Sequence, residues 1–248
     1  MKTKQQIIQK TPYLSNIKNI LPLIFFLYAT NGYSCINCNN DVRHAISSSF
    51  SDNPLLILGF IILTVVVIVL SVIALKKSDP YRENFSSLLH SSKTPLSAAS
   101  MVLGIGIGGF IDGIVLHQIL QWHEMLSNKI APANLINKST NMFWDGIFHL
   151  FTLLITVTGI WLLWKVLSQK FNAKSSSILI GGMLSGWGIF NLLEGILNHH
   201  ILKLHNVREI SANQPLLNYG FLIFSLLLLL IGLWQIKHAK TSNDFNID

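Results

Sequence analysis

Five long apolar stretches, separated by short polar segments, dominate the chain. They cover about Leu55–Leu75, Leu96–Leu120, Met142–Val166, Ile178–Leu202 and Leu216–Ile236. Each has roughly the 20 residues that an α-helix needs to cross a bilayer. The pattern therefore predicts five membrane-spanning helices, numbered here spans 1 to 5. The expected fold is an all-α, polytopic membrane helix bundle, and the lipid bilayer is one of its expected partners.

Composition agrees with this prediction and argues against a nucleic-acid-binding protein. The chain is 50% hydrophobic and only 12% charged, with a mean hydropathy of +0.49, which is typical of a polytopic membrane protein. Its net charge of +7 includes Lys2, Lys4, Lys10 and Lys18, and without these four lysines 14 basic residues face 11 acidic ones. We therefore expect no nucleic-acid partner.

The N-terminal region reads as an export signal. Residues 1–34 combine the early lysines with an apolar run, Ile20 to Tyr28, that is too short to span comfortably; this predicts a signal segment, either cleaved or kept as an anchor. Residues 35–53 then form an exterior segment with Cys35 and Cys38 in a CxxC spacing. A local disulfide is the favoured interpretation of this pair, with a redox pair or half of a metal site as alternatives.

Basic residues beside the spans predict the orientation of the bundle. One set of loops carries nine of them and the opposite set five. The nine are Lys76, Lys77, Arg82, Lys93, Lys165, Lys170, Lys174, Lys237 and Lys240, and the five are Arg43, Lys129, Lys138, Lys203 and Arg208. The richer set of basic residues is expected in the cytoplasm of a bacterium. Residues 54–95 are therefore predicted to form span 1 and a cytoplasmic loop, and residues 241–248 a cytoplasmic tail. The histidine-bearing ends of spans 2 and 4 then face the exterior of the inner membrane.

A polar motif at the ends of spans 2 and 4 occurs twice. Asp112 to His123 has the pattern acid-Gly-Ile-x-x-His-x-Ile-Leu-x-x-His, and Glu194 to His205 repeats it 82 positions later. This agreement indicates an internal repeat. Residues 96–240 are therefore predicted to be a four-helix membrane domain of two repeated transmembrane hairpins, spans 2–3 and 4–5.

Helical geometry restricts how this motif can form a site. At about 100° per residue, Asp112 and His123 lie within about 20° of each other on an α-helix, whereas His117 lies about 140° away. The same holds for Glu194, His205 and His199. No straight α-helix gathers all three side chains, so either ligands combine between helices or the helix breaks near its end.

Span 3 supplies further polar side chains. Asn141, Asp145, His149, Thr152 and Thr156 recur at three- and four-residue intervals and form a stripe on one helix face. Buried carboxylates and imidazoles in a membrane are costly and usually functional. The predicted metal ligands are Asp112, His117, His123, Asp145, His149, Glu194, His199, His200 and His205. Such donors suit Zn, Cu, Fe or Ni, and copper or zinc is the expected metal.

The motif segments Gly108–His123, Trp144–His149 and Gly188–His205 resemble the prokaryotic predicted membrane protein family called domain of unknown function 2243. The resemblance covers roughly residues 97–238 and implies that the nine predicted ligands are polar positions of the family. It also suggests a connection with respiratory oxidase or its assembly factors. Glu124 departs from the family pattern, in which a second histidine is expected, and this weakens a ligand count there. The cysteine segment and span 1 fall outside the resemblance.

Four functions remain open at this stage. The leading hypothesis is an inner-membrane protein with an exterior His/Asp/Glu metal site that handles or delivers metal, such as copper for a respiratory complex. The alternatives are a membrane-embedded metal-dependent hydrolase, a haem-binding protein, and a structural protein whose acid–histidine pairs only fix helix packing. The sequence does not decide whether the protein is an enzyme.

Overall fold

The computed structural model describes residues 39–76, 93–168 and 175–239. The predicted signal segment, Cys35, Cys38 and the 241–248 tail lie outside these residues. The described helices are α1 (Asn40–Asp52), α2 (Pro54–Leu75), α3 (Thr94–Ile111), α4 (Leu135–Leu167), α5 (Ser176–Glu194) and α6 (Gln214–His238). Two π-helical segments, Asp112–Ile119 and Gly195–Ile201, continue α3 and α5. The described parts of the chain contain no strand, so the predicted all-α fold is confirmed.

Within the described residues, five helices are long and apolar enough to cross a membrane. They are Ile57–Leu75, Thr94–Ile119, Leu135–Leu167, Ser176–Ile201 and Gln214–His238, which confirms the five predicted spans. The largest difference is at α4, which begins at Leu135 rather than near Met142. The Asn134 side chain caps this helix by accepting a hydrogen bond from Asn137 N–H. The polar first turns of α4 therefore remain helical.

Helices α3 and α5 form the centre of the bundle, with their backbones in direct contact. A Cβ added to Gly104 would meet the Met183 backbone, and a Cβ added to Gly186 would meet the Met101 backbone. Each helix thus places a glycine against the other's main chain at equivalent positions. Small residues permit this close approach in membrane helices, and it fixes the two helix ends side by side.

The outer helices pack against this central pair in matching ways. Gly159 of α4 lies against Leu103 of α3, and Gly232 of α6 lies against Gly181 of α5. Helix α2 packs on α3 and α4, and its other faces expose apolar side chains such as Ile61 and Val65, as expected in contact with lipid. The four helices that carry the predicted site therefore stand in the order α4, α3, α5, α6.

Helix α1 lies across one end of α4. The Trp144 indole N–H donates a hydrogen bond to Ser49 Oγ at 2.8 Å, and the Phe50 ring packs on the same indole with ring centroids 4.5 Å apart. The contact joins the start of the described chain to the helix that carries Asp145, on the side of the bundle where the histidines collect.

Candidate metal centre

The helix geometry changes where the two motifs begin. In a π-helix the backbone bonds join residues five apart, and the Leu120 N–H donates to Val115 O at 2.8 Å while the Leu202 N–H donates to Leu197 O at 2.7 Å. Asp112 and His117 are five residues apart, as are Glu194 and His199. The wider turn therefore brings each carboxylate beside the first histidine of its motif, which an α-helix does not do.

Both motifs then end in a left-handed residue. Gln121 has φ 49° and Lys203 has φ 51°, and the following amides, Trp122 N–H and Leu204 N–H, donate to Leu116 O and Asn198 O. This is a Schellman-like termination. It folds the chain back over the helix end, so that the last histidine of each motif, His123 or His205, returns to the carboxylate.

The first group of side chains is Asp112, His117 and His123. One ligand atom from each lies within 4.8 Å of the others. His117 Nε2 is 3.1 Å from Asp112 Oδ2, and His123 Nε2 is 4.0 Å from Asp112 Oδ1. All three residues are buried. The carboxylate and two imidazoles that the sequence predicts as ligands therefore converge on one point.

The second group, Glu194, His199 and His205, repeats this arrangement. Its ligand atoms also lie within 4.8 Å of one another, with His199 Nε2 at 2.8 Å and His205 Nε2 at 3.5 Å from Glu194 Oε1. These three residues are buried as well. Each motif thus provides two imidazoles and one carboxylate.

The two groups are neighbours. The His123 and His205 rings stack with centroids 4.5 Å apart and planes 5° apart. His117 lies 5.8 Å from His205, and His123 lies 6.2 Å from His199, ring centre to ring centre. The four imidazoles therefore form one continuous cluster, in which Asp112 contacts one pair of rings and Glu194 the other.

The nitrogens that face the carboxylates have no hydrogen-bond partner in the described structure. These are the Nε2 atoms of His117, His123, His199 and His205, and both Glu194 carboxylate oxygens are also without one. The short approaches to Asp112 and Glu194 therefore lack hydrogen-bond geometry. Buried polar atoms are rarely left unpaired. Imidazole nitrogens and carboxylate oxygens that converge in this way could serve as ligands to a metal ion.

The hydrogen bonds at the other ring nitrogens define two of these imidazoles. His117 Nδ1 is 2.9 Å from Asp145 Oδ1, and His123 Nδ1 is 2.8 Å from Val207 O. Because a carboxylate and a carbonyl only accept, both Nδ1 atoms carry the proton. In a neutral ring Nε2 then presents a lone pair toward Asp112, and a cation between these two acceptors would offset their repulsion.

The two histidines beyond the spans are held neutral. Burial lowers the pKa of His123 to about 3, and the nearby His117 adds to the shift. Burial also lowers the pKa of His205 well below its usual value, with contributions from His123 and His199. Burial disfavours the charged imidazolium, so at neutral pH both rings have a lone pair available for a metal.

Residues 99–239 match the family described as Predicted membrane protein (DUF2243), which is more than half of the chain. The chain belongs to this family. The predicted resemblance is therefore confirmed, and both groups of side chains lie inside the DUF2243 region. No curated protein and no solved structure matches the chain significantly. Helices α1 and α2 lie outside the matched residues.

The remaining predicted ligands in the DUF2243 region face other partners. The Asp145 carboxylate accepts from His117 Nδ1 and from Met125 N–H. His149 Nδ1 donates to the Asp145 carbonyl, and His200 Nδ1 donates to Gly195 O. The structure thus brings six of the nine predicted ligands together, places Asp145 behind one of them, and puts His149 and His200 outside both groups.

Glu124, the position where the family pattern predicts a histidine, joins neither group. It is buried, and its carboxylate pairs with the Lys138 ammonium. Sequence reasoning missed a further contributor, Val207, because a backbone carbonyl has no sequence signature. The π-helical turn was also missed, although the five-residue acid-to-histidine spacing in both motifs is the signal that indicates it.

Two loops of the DUF2243 region cross above the cluster. Glu209 N–H donates to Trp122 O, and Asn128 N–H donates to Leu204 O, both at 2.9 Å. Asn218 Oδ1 accepts from Val207 N–H at 3.0 Å, which holds the carbonyl that accepts from His123. The loops after α3 and α5 therefore hold each other in place. The loop after α5 positions His123 through Val207 O, and the loop after α3 bonds to Leu204, next to His205.

A small cavity reaches the second group from the side. Its volume is about 40 Å³, and its lining includes Phe60 of α2, Phe148 of α4, and Phe190 and Glu194 of α5. That volume holds a few water molecules. Glu194 therefore borders a cavity that is partly walled by a helix outside the DUF2243 region, while both of its carboxylate oxygens stay buried.

Proposed function

We propose that this protein binds metal at the cluster formed by the two groups and functions in metal handling at the membrane. One observation carries the proposal: four buried imidazole Nε2 atoms face two buried carboxylates without hydrogen bonds. A structural role for acid–histidine pairs calls for satisfied hydrogen bonds. The observed arrangement instead offers lone pairs and negative charge to a cation.

The donor set favours particular metals. Each group provides two imidazole nitrogens and one carboxylate oxygen, a set found at zinc sites and also suited to copper and to non-haem iron. No thiolate is among these donors. Zinc and copper are the metals proposed. Metal analysis should also include Fe(II), because two histidines and one carboxylate form its common site as well.

Metal content of the purified full-length protein tests the proposal. Elemental analysis is expected to find stoichiometric metal, or stoichiometric uptake of Zn²⁺ or Cu²⁺ after chelator treatment. His117→Ala combined with His199→Ala is expected to abolish it. The control is His149→Ala with His200→Ala, because these two histidines bond to backbone carbonyls outside the groups. Protein without metal that also takes up none overturns the proposal.

The location of the cluster suggests the direction of metal transfer. Nine basic residues flank one face of the spans and five flank the other, which supports a cytoplasmic C-terminus and a cluster on the exterior side of a bacterial inner membrane. Delivery of copper to a respiratory oxidase or its assembly factors is the partner proposal. A strain lacking the protein is then expected to lose oxidase activity that added copper restores; unchanged activity at limiting copper contradicts it.

A metal-dependent hydrolase is the second candidate. Catalytic zinc sites have three protein ligands and one open position, and each group provides three donors, with Glu194 lining a cavity. Azide is expected to shift the visible spectrum of the Co²⁺-loaded protein if a position is open. An unchanged spectrum indicates full protein ligation and argues against hydrolysis.

Haem ligation is less well supported by the geometry. The His123 and His205 rings lie face to face at 4.5 Å, which places ring against ring where a porphyrin would have to insert. The absorption spectrum of the purified protein decides this alternative, since bound haem gives a Soret band.

A further inference from the structure

We infer that the cluster is a two-metal centre, in which Asp112, His117 and His123 hold one ion and Glu194, His199 and His205 hold a second beside it. This inference rests on the proposed function and specifies it further. Metal handling requires only one ion per chain, whereas the geometry indicates two binding positions that are filled unequally.

Each group is complete by itself. Within each group the three ligand atoms lie within 4.8 Å of one another, and each group has its own carboxylate at its centre. A single ion shared by the whole cluster would leave several of the four Nε2 atoms, all unpaired and buried, without any partner. Two ions satisfy all four imidazoles and both acids.

The two groups are in direct contact. His123 belongs to one group and His205 to the other, yet their rings stack at 4.5 Å. His117 also lies 5.8 Å from His205. Two ions held by adjacent rings are neighbours, and neighbouring ions can share a bridging ligand at the position that each three-donor site leaves open.

The charge of the cluster also indicates two ions. Asp112, Asp145 and Glu194 are buried acids in or against the cluster, with a combined charge of −3 when ionised. Burial of uncompensated charge is expensive. One divalent ion among neutral imidazoles leaves a net negative charge, whereas two divalent ions with one bridging hydroxide bring the sum to zero.

The two positions differ in how their imidazoles are supported. In the first group His117 Nδ1 is bonded to Asp145 and His123 Nδ1 to Val207 O. In the second group His199 Nδ1 has no hydrogen-bond partner among the described residues. Such supporting bonds orient metal-binding histidines and are worth roughly 10–100-fold in affinity. The first group is therefore the tighter site.

Counting bound ions by native mass spectrometry tests the inference on the chelator-treated full chain titrated with Zn²⁺. Two ions per wild-type chain are expected. His117→Ala with His123→Ala is expected to keep one, as is His199→Ala with His205→Ala, whereas the control His149→Ala with His200→Ala keeps two. A single ion that either double variant abolishes overturns the two-metal centre but leaves metal binding intact. If the wild type binds no ion, both the two-metal centre and the proposed metal function are overturned. If two ions persist in every variant, the metal binds elsewhere, and both are again overturned.

Wild-type protein alone provides an independent readout, so that the inference does not depend on variants that fold poorly. At two equivalents of Cu²⁺, electron paramagnetic resonance is expected to show the broadened and half-field signals of two coupled ions. At one equivalent only the isolated signal is expected. Two isolated signals at full loading would overturn the adjacency.

Asp145→Asn tests the unequal affinities. The amide oxygen can still accept from His117 but carries no charge, so the first Zn²⁺ is expected to bind roughly 10-fold more weakly while the second is unchanged. Restoring the carboxylate on a longer side chain, Asp145→Glu, is expected to recover part of the affinity. Equal weakening of both ions would show a merely structural effect and overturn the assignment of Asp145 to the first site.

Discussion

At the scale of single residues, the centre depends on which nitrogen of each imidazole is free. The motif spacing identified the six converging side chains, but it did not distinguish them from Asp145, His149 and His200. These three share the helix ends with the six converging side chains, and their roles depend on rotamers. His149 and His200 turn back to carbonyls of their own helices, a choice that residue type and periodicity do not encode.

The depressed pKa values of His123 and His205 predict how stability changes with pH. In the unfolded chain these imidazoles take up a proton below about pH 6.5. In the fold they stay neutral, His123 down to about pH 3. The unfolded state then binds more protons at these two positions. The stability that the two rings contribute is therefore complete above pH 6.5 and decreases as the pH falls below it, by at most about 1.4 kcal/mol per pH unit for each ring.

Thermal unfolding of the metal-free protein in detergent, measured between pH 7.5 and 4.5, checks this expectation. The melting temperature is expected to decrease steadily below pH 6.5. His123→Asn, which removes one of the two titrating rings, is expected to flatten the profile. A melting temperature that rises on acidification would contradict the assignment of neutral rings.

At the scale of elements, each of the two helix ends brings together one carboxylate and two imidazoles of its motif, which a straight α-helix does not do. The sequence predicts that either ligands combine between helices or the helix breaks near its end. The structure shows a break, formed by a π-helical turn followed by a left-handed residue. Its form was not predictable from 100° periodicity, because a π-helical turn has a different period and is stabilised by packing around it.

The left-handed residues therefore offer a specific test. Gln121 has φ 49°, a conformation that glycine adopts freely and that is a strained outlier for a β-branched residue. Gln121→Gly is expected to bind metal as the wild type does, with equal or higher stability. Gln121→Val is expected to displace His123 and weaken the first ion at least 10-fold, about 1.4 kcal/mol.

Isothermal titration with Zn²⁺ measures both variants. The matched pair at the other helix end is Lys203→Gly and Lys203→Val, which should affect the second ion in the same way. Equal affinities for the valine and glycine variants would show that the chain reversal does not position the histidines.

At the scale of the whole molecule, the apolar pattern predicted the architecture well. All five spans are found near their predicted positions, because apolar length is a strong signal in membrane proteins. The start of α4 differs because its first turns are polar. The signal segment, the domain boundaries and the internal repeat stay predictions, although the two motifs have closely similar backbone geometry. How the loops after α3 and α5 cross was beyond sequence reasoning, since it depends on long-range backbone bonds.

The central glycines predict a large effect at a distance from the cluster. A Cβ at Gly104 would meet the backbone of Met183, which cannot move aside as a side chain can. Gly104→Ala is therefore expected to destabilise the protein by about 1–3 kcal/mol, as overpacking does, and to weaken both ions by separating α3 from α5.

Gly146→Ala is the matched control, because an added Cβ there meets nothing within 4 Å. Replacing this exposed helical glycine is expected to leave metal binding unchanged and to stabilise the helix by about 0.5–1 kcal/mol. Melting temperature and ion count on both variants provide the comparison. A Gly104→Ala protein as stable as the wild type would show that the two helices are not locked together.

The reciprocal glycine contact also has a kinetic consequence. The main chains of α3 and α5 touch at Gly104 and Gly186, so we expect these helices to stay together while an ion at the proposed centre exchanges. Exchange would then require the loops that carry His123, His205 and Val207 to separate. Asn128→Ala, which removes the hydrogen bond from Asn128 Nδ2 to Lys203 O, is therefore expected to shorten the lifetime of a bound ion without changing the helices.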